Sequence, residues 1–73
     1  MTNNIYSDEY KNITEKLRKA RIEDGFTQEQ VAKKIGKPQS YISKSESGER
    51  RLDVTELKKF AKLYKKSINY FIK

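Results

Sequence analysis

An all-α domain of five helices is the fold class this sequence predicts, on three observations. Apolar residues recur at spacings of three and four nearly throughout the 73 residues. Two stretches carry a Thr or Asp cap followed three residues later by Gln or Glu, the signature of a helix start. The three Gly and the single Pro sit where such stretches meet. The length allows one small domain, residues 1–73, with no repeat and no low-complexity segment.

Residues 1–7 are polar apart from Ile5 and Tyr6 and read as a flexible arm. The first helix is expected from about Asp8 to Asp24, with Tyr10, Ile13, Leu17, Ala20 and Arg21 on one face. Gly25 ends it as a left-handed residue. The second opens on a capping box, Thr27 with Gln30, and a hydrophobic staple, Phe26 with Val31. Val31, Ala32 and Ile35 face the core, and Gly36 stops the helix. The third starts near Pro38 or Gln39, since a Pro lacks only an N–H that would be unpaired there, and ends before Gly48. Its inward or sideways residues are Tyr41, Ile42 and Ser45; Gln39, Ser40, Ser43 and Lys44 lie outward. A loop from Gly48 to Leu52 carries Arg50 and Arg51. The fourth helix has its own capping box, Asp53 with Glu56, and its own staple, Leu52 with Leu57. Its apolar stripe is Leu57, Phe60, Ala61 and Tyr64, and its other faces are lysines of a kind usually left in solvent. Ser67 can cap a last short helix, Ile68 to Ile72.

Charge and missing residue types narrow the function. Lys plus Arg outnumber Asp plus Glu by 17 to 10, a net charge of +7 on 8.6 kDa. That points to a polyanion, either nucleic acid or an acidic membrane surface, although a merely soluble surface can look the same. A membrane-surface peptide would be one continuous basic amphipathic helix, and here Gly-centred turns break the helices. There is no Cys and no His, so disulfides, thiolate metal sites and imidazole chemistry are excluded. With no phosphate-cradling Gly loop and little volume for a substrate pocket, an enzyme is not expected, nor a cofactor or small-molecule ligand. No apolar run spans a membrane and no signal peptide is visible, so a soluble cytoplasmic protein is expected.

The stretch TQEQVAKKIGKPQSYISKSESG, residues 27–48, is the most informative. Two short helices joined by a tight Gly-containing turn form the frame that places a second helix in the DNA major groove. An ordinary solvated helix face has the same composition as Gln39, Ser40, Ser43 and Lys44; their placement after this turn favours base contact. Gln can pair with N6 and N7 of adenine, Lys with O6 and N7 of guanine, and Ser with several bases. Lys37, Arg50 and Arg51 flank the third helix and suit phosphate contacts, which set register and salt-dependent affinity; a loop dipping into a groove would instead bring Arg50 to a base edge. Tyr41 has two expected placements, against the second helix or on the sugar-phosphate backbone.

The run LRKARIEDGFTQEQVAKKIG, followed by YISKSESGERRLDVTEL, resembles the phage repressor and Cro-type helix-turn-helix family, the XRE-like regulators, over about residues 12 to 72. Phage repressors and small restriction–modification controller proteins are the closest types in length and pattern. The resemblance implies a lambda-repressor-like DNA-binding domain. It implies that Gln28 bonds a DNA phosphate and buttresses the third helix, as a helix N-terminus favours an anion. It assigns Gln39, Ser40, Ser43 and Lys44 to base reading, and Arg21 and Glu46 to a structural charge pair tying the first helix to the end of the third. Two positions depart from the family pattern. Ser45 replaces a large apolar anchor, so either a neighbour such as Tyr41 or Tyr64 fills the space or the third helix is held less firmly. Pro38 replaces a Ser or Thr cap.

Family members usually dimerise on two half-sites roughly 34 Å apart. Ile68 and Phe71 are expected to complete the core, and Tyr70 and Ile72 to form an interface across a two-fold axis. The expected function is a sequence-specific transcriptional regulator, of repressor or controller type, reading a palindromic operator in double-stranded DNA through its third helix. The alternative is an antitoxin-like protein-binding module that also controls its own operon, for which the N-terminal arm is the available extra segment.

Overall fold

The computed structural model describes residues 8–72, apart from the side chain of Glu9; the expected arm, residues 1–7, lies outside them. Five helices follow one another: α1 Asp8–Glu23, α2 Gln28–Ile35, α3 Gln39–Ser47, α4 Val54–Leu63 and α5 Ile68–Ile72. No strand occurs among the described residues. The first helix stops one residue before the expected Asp24, and the last has the expected bounds.

The helix ends follow from local chemistry. Thr27 is in extended geometry and its side chain accepts the Gln30 N–H at 3.1 Å, while the Gln30 side chain accepts the Thr27 N–H at 2.8 Å. Asp53 and Glu56 repeat this arrangement at 2.8 and 3.0 Å. Each box satisfies two N–H groups that the first turn leaves without helical partners. Gly36 ends α2 at φ 81°, and the N–H groups of Gly36 and Lys37 converge on the Ala32 carbonyl at 2.8 and 3.0 Å. This left-handed turn aims the chain into α3. Lys65 takes the same backbone region after α4, at φ 57°, where no glycine signals the turn.

The apolar stripes meet in one core. Leu17 and Ala20 of α1, Val31 and Ala32 of α2, Ile42 of α3, Leu57, Phe60 and Ala61 of α4, with Tyr64 and Phe71, are buried together. Phe26, Ile35, Leu52 and Ile68 pack against its edge. Phe71 is fully buried, so α5 closes the core against α1 and α4, as expected of Phe71 with Ile68. Phe26 and Leu52, the outer members of the two expected staples, are half-buried against the core that holds Val31 and Leu57.

Candidate nucleic-acid interface

α3 divides by helical period into an inner and an outer face. Ile42 and Ser45 are fully buried. Gln39, Ser40, Ser43 and Lys44 are all exposed and, at spacings of three and four, form one continuous face. The helix starts at Gln39 with Pro38 as its cap residue, and Pro38 makes no side-chain cap bond. The Tyr41 N–H reaches the Pro38 carbonyl at 3.0 Å to begin the first turn.

The inner face is locked by a buried ion pair. Arg21 donates to Glu46 through Nε at 2.7 Å and Nη2 at 3.2 Å, and its Nη1 donates to the Phe26 carbonyl at 2.9 Å. Side-chain exposures are 12% for Arg21 and 4% for Glu46. Gln28 Nε2 donates to the same Glu46 carboxylate at 3.2 Å. One carboxylate therefore joins α1, the start of α2 and the end of α3, and the buttress expected of Gln28 is visible here. Such a pair is held by paired charges and satisfied N–H groups rather than by burial alone.

Ser45 is accommodated without an apolar anchor. Its hydroxyl donates to the Tyr41 carbonyl, one turn back in the same helix, at 2.7 Å. The buried polar group thus has a partner inside its own helix, and Ile42 carries the apolar anchorage. Tyr41 takes a position that neither expectation named: its ring stacks on Phe60 of α4, with centroids 6.4 Å apart.

The loop after α3 is organised by two tyrosines and one carboxylate. The Tyr10 hydroxyl donates to the Arg50 carbonyl at 2.8 Å and accepts the Leu52 N–H at 3.1 Å. Arg51 is exposed and its guanidinium lies 5.1 Å from the Tyr10 ring centre. The Arg50 guanidinium lies 4.3 Å from the Tyr41 ring centre and is paired in two-pronged fashion with Glu56. The Tyr41 hydroxyl also donates to Glu56, at 3.0 Å. These bonds, with that of Arg50 foremost, hold the Glu56 carboxyl down at about 2. Burial, and then the bond to Glu56, push the Tyr41 phenol up.

The structure thus brings Gln39, Ser40, Ser43 and Lys44 together on one face, with Gln28, Lys37, Arg50 and Arg51 on the segments that flank it. Lys37 is exposed in the turn, its ammonium 5.5 Å from the Tyr41 ring centre. Two contributors were hidden in the sequence. The helical period assigns Tyr10 to an apolar face and Glu56 pairs with Asp53 in a capping box, yet both also act on residues distant in sequence. The signal for Glu56 was its nearness in sequence to the basic GERR loop.

The match to a family model settles what this frame is. The model of a helix-turn-helix family, of the XRE type, matches residues 17–71, a span that holds the whole of α2, the turn and α3. The chain belongs to this helix-turn-helix family. It is a DNA-binding transcriptional regulator. No curated protein and no solved structure was found to match it. Among the described residues of this XRE-type regulator, no helix is long and apolar enough to cross a membrane.

Proposed function

We propose that this regulator is a homodimeric repressor or controller that reads a palindromic operator through α3, occupying the site to block or recruit polymerase. The observation that carries the reading is the division of α3: four hydrogen-bonding side chains share an exposed face while Ile42 and Ser45 are sealed beneath it. Gln39 and Lys44 suit adenine and guanine edges, and Ser40 and Ser43 suit several bases. Gln28, Lys37 and Arg51 supply phosphate contacts that fix the register. Arg50 and Tyr41 stand outside that set because the charge of one is paired with Glu56 and the only O–H of the other donates to it, whereas the Gln28 amide has a second N–H besides the one on Glu46.

A second copy joins through α5. Ile72 is 54% exposed beside the buried Phe71, and Tyr70 is half-buried. A two-fold axis at this helix pairs like with like and sets two recognition helices on two half-sites.

Binding to DNA selected from random sequence, measured across a salt series beside sedimentation of the free protein, tests the reading. Expected are a symmetric site, a steep fall of affinity with salt, a margin over random DNA at every salt concentration, and a dimer. Equal affinity for all sequences, or a monomer with and without DNA at micromolar concentration, overturns it.

A further inference from the structure

The Glu56 carboxylate accepts from four donors, only one of which is the N–H of its capping box. Its Oε1 accepts from Arg50 Nη1 at 3.1 Å and from the Asp53 N–H at 3.0 Å. Its Oε2 accepts from Arg50 Nη2 and from the Tyr41 hydroxyl. The Arg50 guanidinium also lies over the Tyr41 ring, 4.3 Å from its centre, and its backbone is held by Tyr10, whose hydroxyl donates to the Arg50 carbonyl. Its Nη1 donates further to the Arg51 carbonyl at 3.2 Å. Arg51 next to it differs: it is exposed, and no carboxylate among the described residues pairs with it.

We propose that Glu56 is a positioning residue that sets the strength and salt dependence of DNA binding: it holds Arg50 out of the phosphate-binding set, so that the loop offers DNA one cation, Arg51, instead of two. Affinity that comes from phosphates is indifferent to sequence, and each cation added strengthens binding to operator and random DNA alike. A guanidinium bound to a carboxylate presents a phosphate with a dipole rather than a free charge. The pair therefore restrains binding to operator and random DNA alike, while the Tyr41–Glu56 hydrogen bond keeps Tyr41, and with it the first turn of α3, against α4. The inference rests on the reading of α3 as the operator-reading helix.

The test uses the full chain with E56Q, R50Q and the double variant. E56Q keeps a capping box, because Gln30 serves α2 in the same position; folding is checked by circular dichroism. Affinities for the operator selected by the native protein and for a random duplex are measured over a salt series. E56Q should bind operator and random DNA more tightly by a similar, several-fold factor at low salt, leaving the operator-to-random ratio near native. It should also steepen the slope of log affinity against log salt by about 0.9 per protomer. R50Q should leave the native slope unchanged, and the double variant should return to it. An E56Q slope and random-DNA affinity equal to native overturn the proposal. So does a double variant as steep as E56Q, which would assign the change to the lost carboxylate alone. R50Q flattening the native slope by about 0.9 per protomer overturns it too, and decides the matter alone if E56Q does not fold. A native protein that prefers no site refutes the operator reading, and the slopes on random DNA then still test the pairing.

Discussion

Arg21–Glu46 and Arg50–Glu56 are both two-pronged arginine–carboxylate pairs that brace the helix-turn-helix, yet their surroundings differ. The first has side-chain exposures of 12% and 4%, the second 34% and 20%. Behind α3, water is excluded, so each charge depends on the other and on the N–H groups converging there. In front of it, water screens the charges, and the pair fixes geometry more than it adds stability. The same chemistry therefore holds the domain together in one place and tunes the face it presents in the other.

Breaking the inner pair should have the largest effect. Arg21→Ala strands the Glu46 carboxylate under α3 and should lower unfolding stability by roughly 3–5 kcal/mol, seen in chemical denaturation. For so small a domain that approaches the whole margin. Unchanged denaturation would erase the distinction between the two pairs. Breaking the outer pair should cost far less: Arg50→Ala should lower stability by at most about 1 kcal/mol.

Acid sharpens the contrast. The Glu56 carboxyl lies at about 2 in the folded protein against 4.5 ordinarily. Its ionised form is thus favoured by folding, and the stability it adds is in place above about pH 4.5. That contribution is lost as pH falls from 4.5 towards 2. Glu56→Gln should flatten this part of the stability profile in acid denaturation, and a profile as steep as native would contradict the assignment.

The smallest effect concerns a group near the inner pair. The Tyr64 hydroxyl is buried and has no hydrogen-bond partner among the described residues, and burial pushes its phenol up, with the Glu46 charge adding to the shift. Removing an unsatisfied hydroxyl while keeping the ring should leave stability unchanged or raise it by up to about 1 kcal/mol, so Tyr64→Phe should melt no lower than native. A clear loss would mean that this hydroxyl supports the lock.

Much of the frame was legible because its signals are local. Thr27 with Gln30, Asp53 with Glu56, and Gly25 and Gly36 each act within a few residues of where they stand, so a linear reading finds them. The outward residues of α3 follow from the helical period once Gly36 and Pro38 mark its start. The Arg21–Glu46 pair, 25 residues apart, came only through family resemblance. What escaped reading depends on partners that helical period and local motifs do not name. The Tyr10 hydroxyl meets the Arg50 carbonyl 40 residues away, and Tyr41 turns to α4 because Phe60 and Glu56 stand there. Lys65 adopts the backbone region that usually announces itself by glycine. Ser45 looked like a fault in the core until its hydroxyl was seen to bond within its own helix.

The central claim is that the exposed face of α3 reads bases while the flanking cations read only the backbone. Selection of bound sites from random DNA by the native regulator, Lys44→Ala and Arg51→Ala tests it most directly. The native protein should select two symmetric half-sites. Lys44→Ala should change the preferred bases within each half-site, and Arg51→Ala should select the native sequence with weaker affinity throughout. An unchanged sequence with Lys44→Ala, or an altered one with Arg51→Ala, would contradict the account.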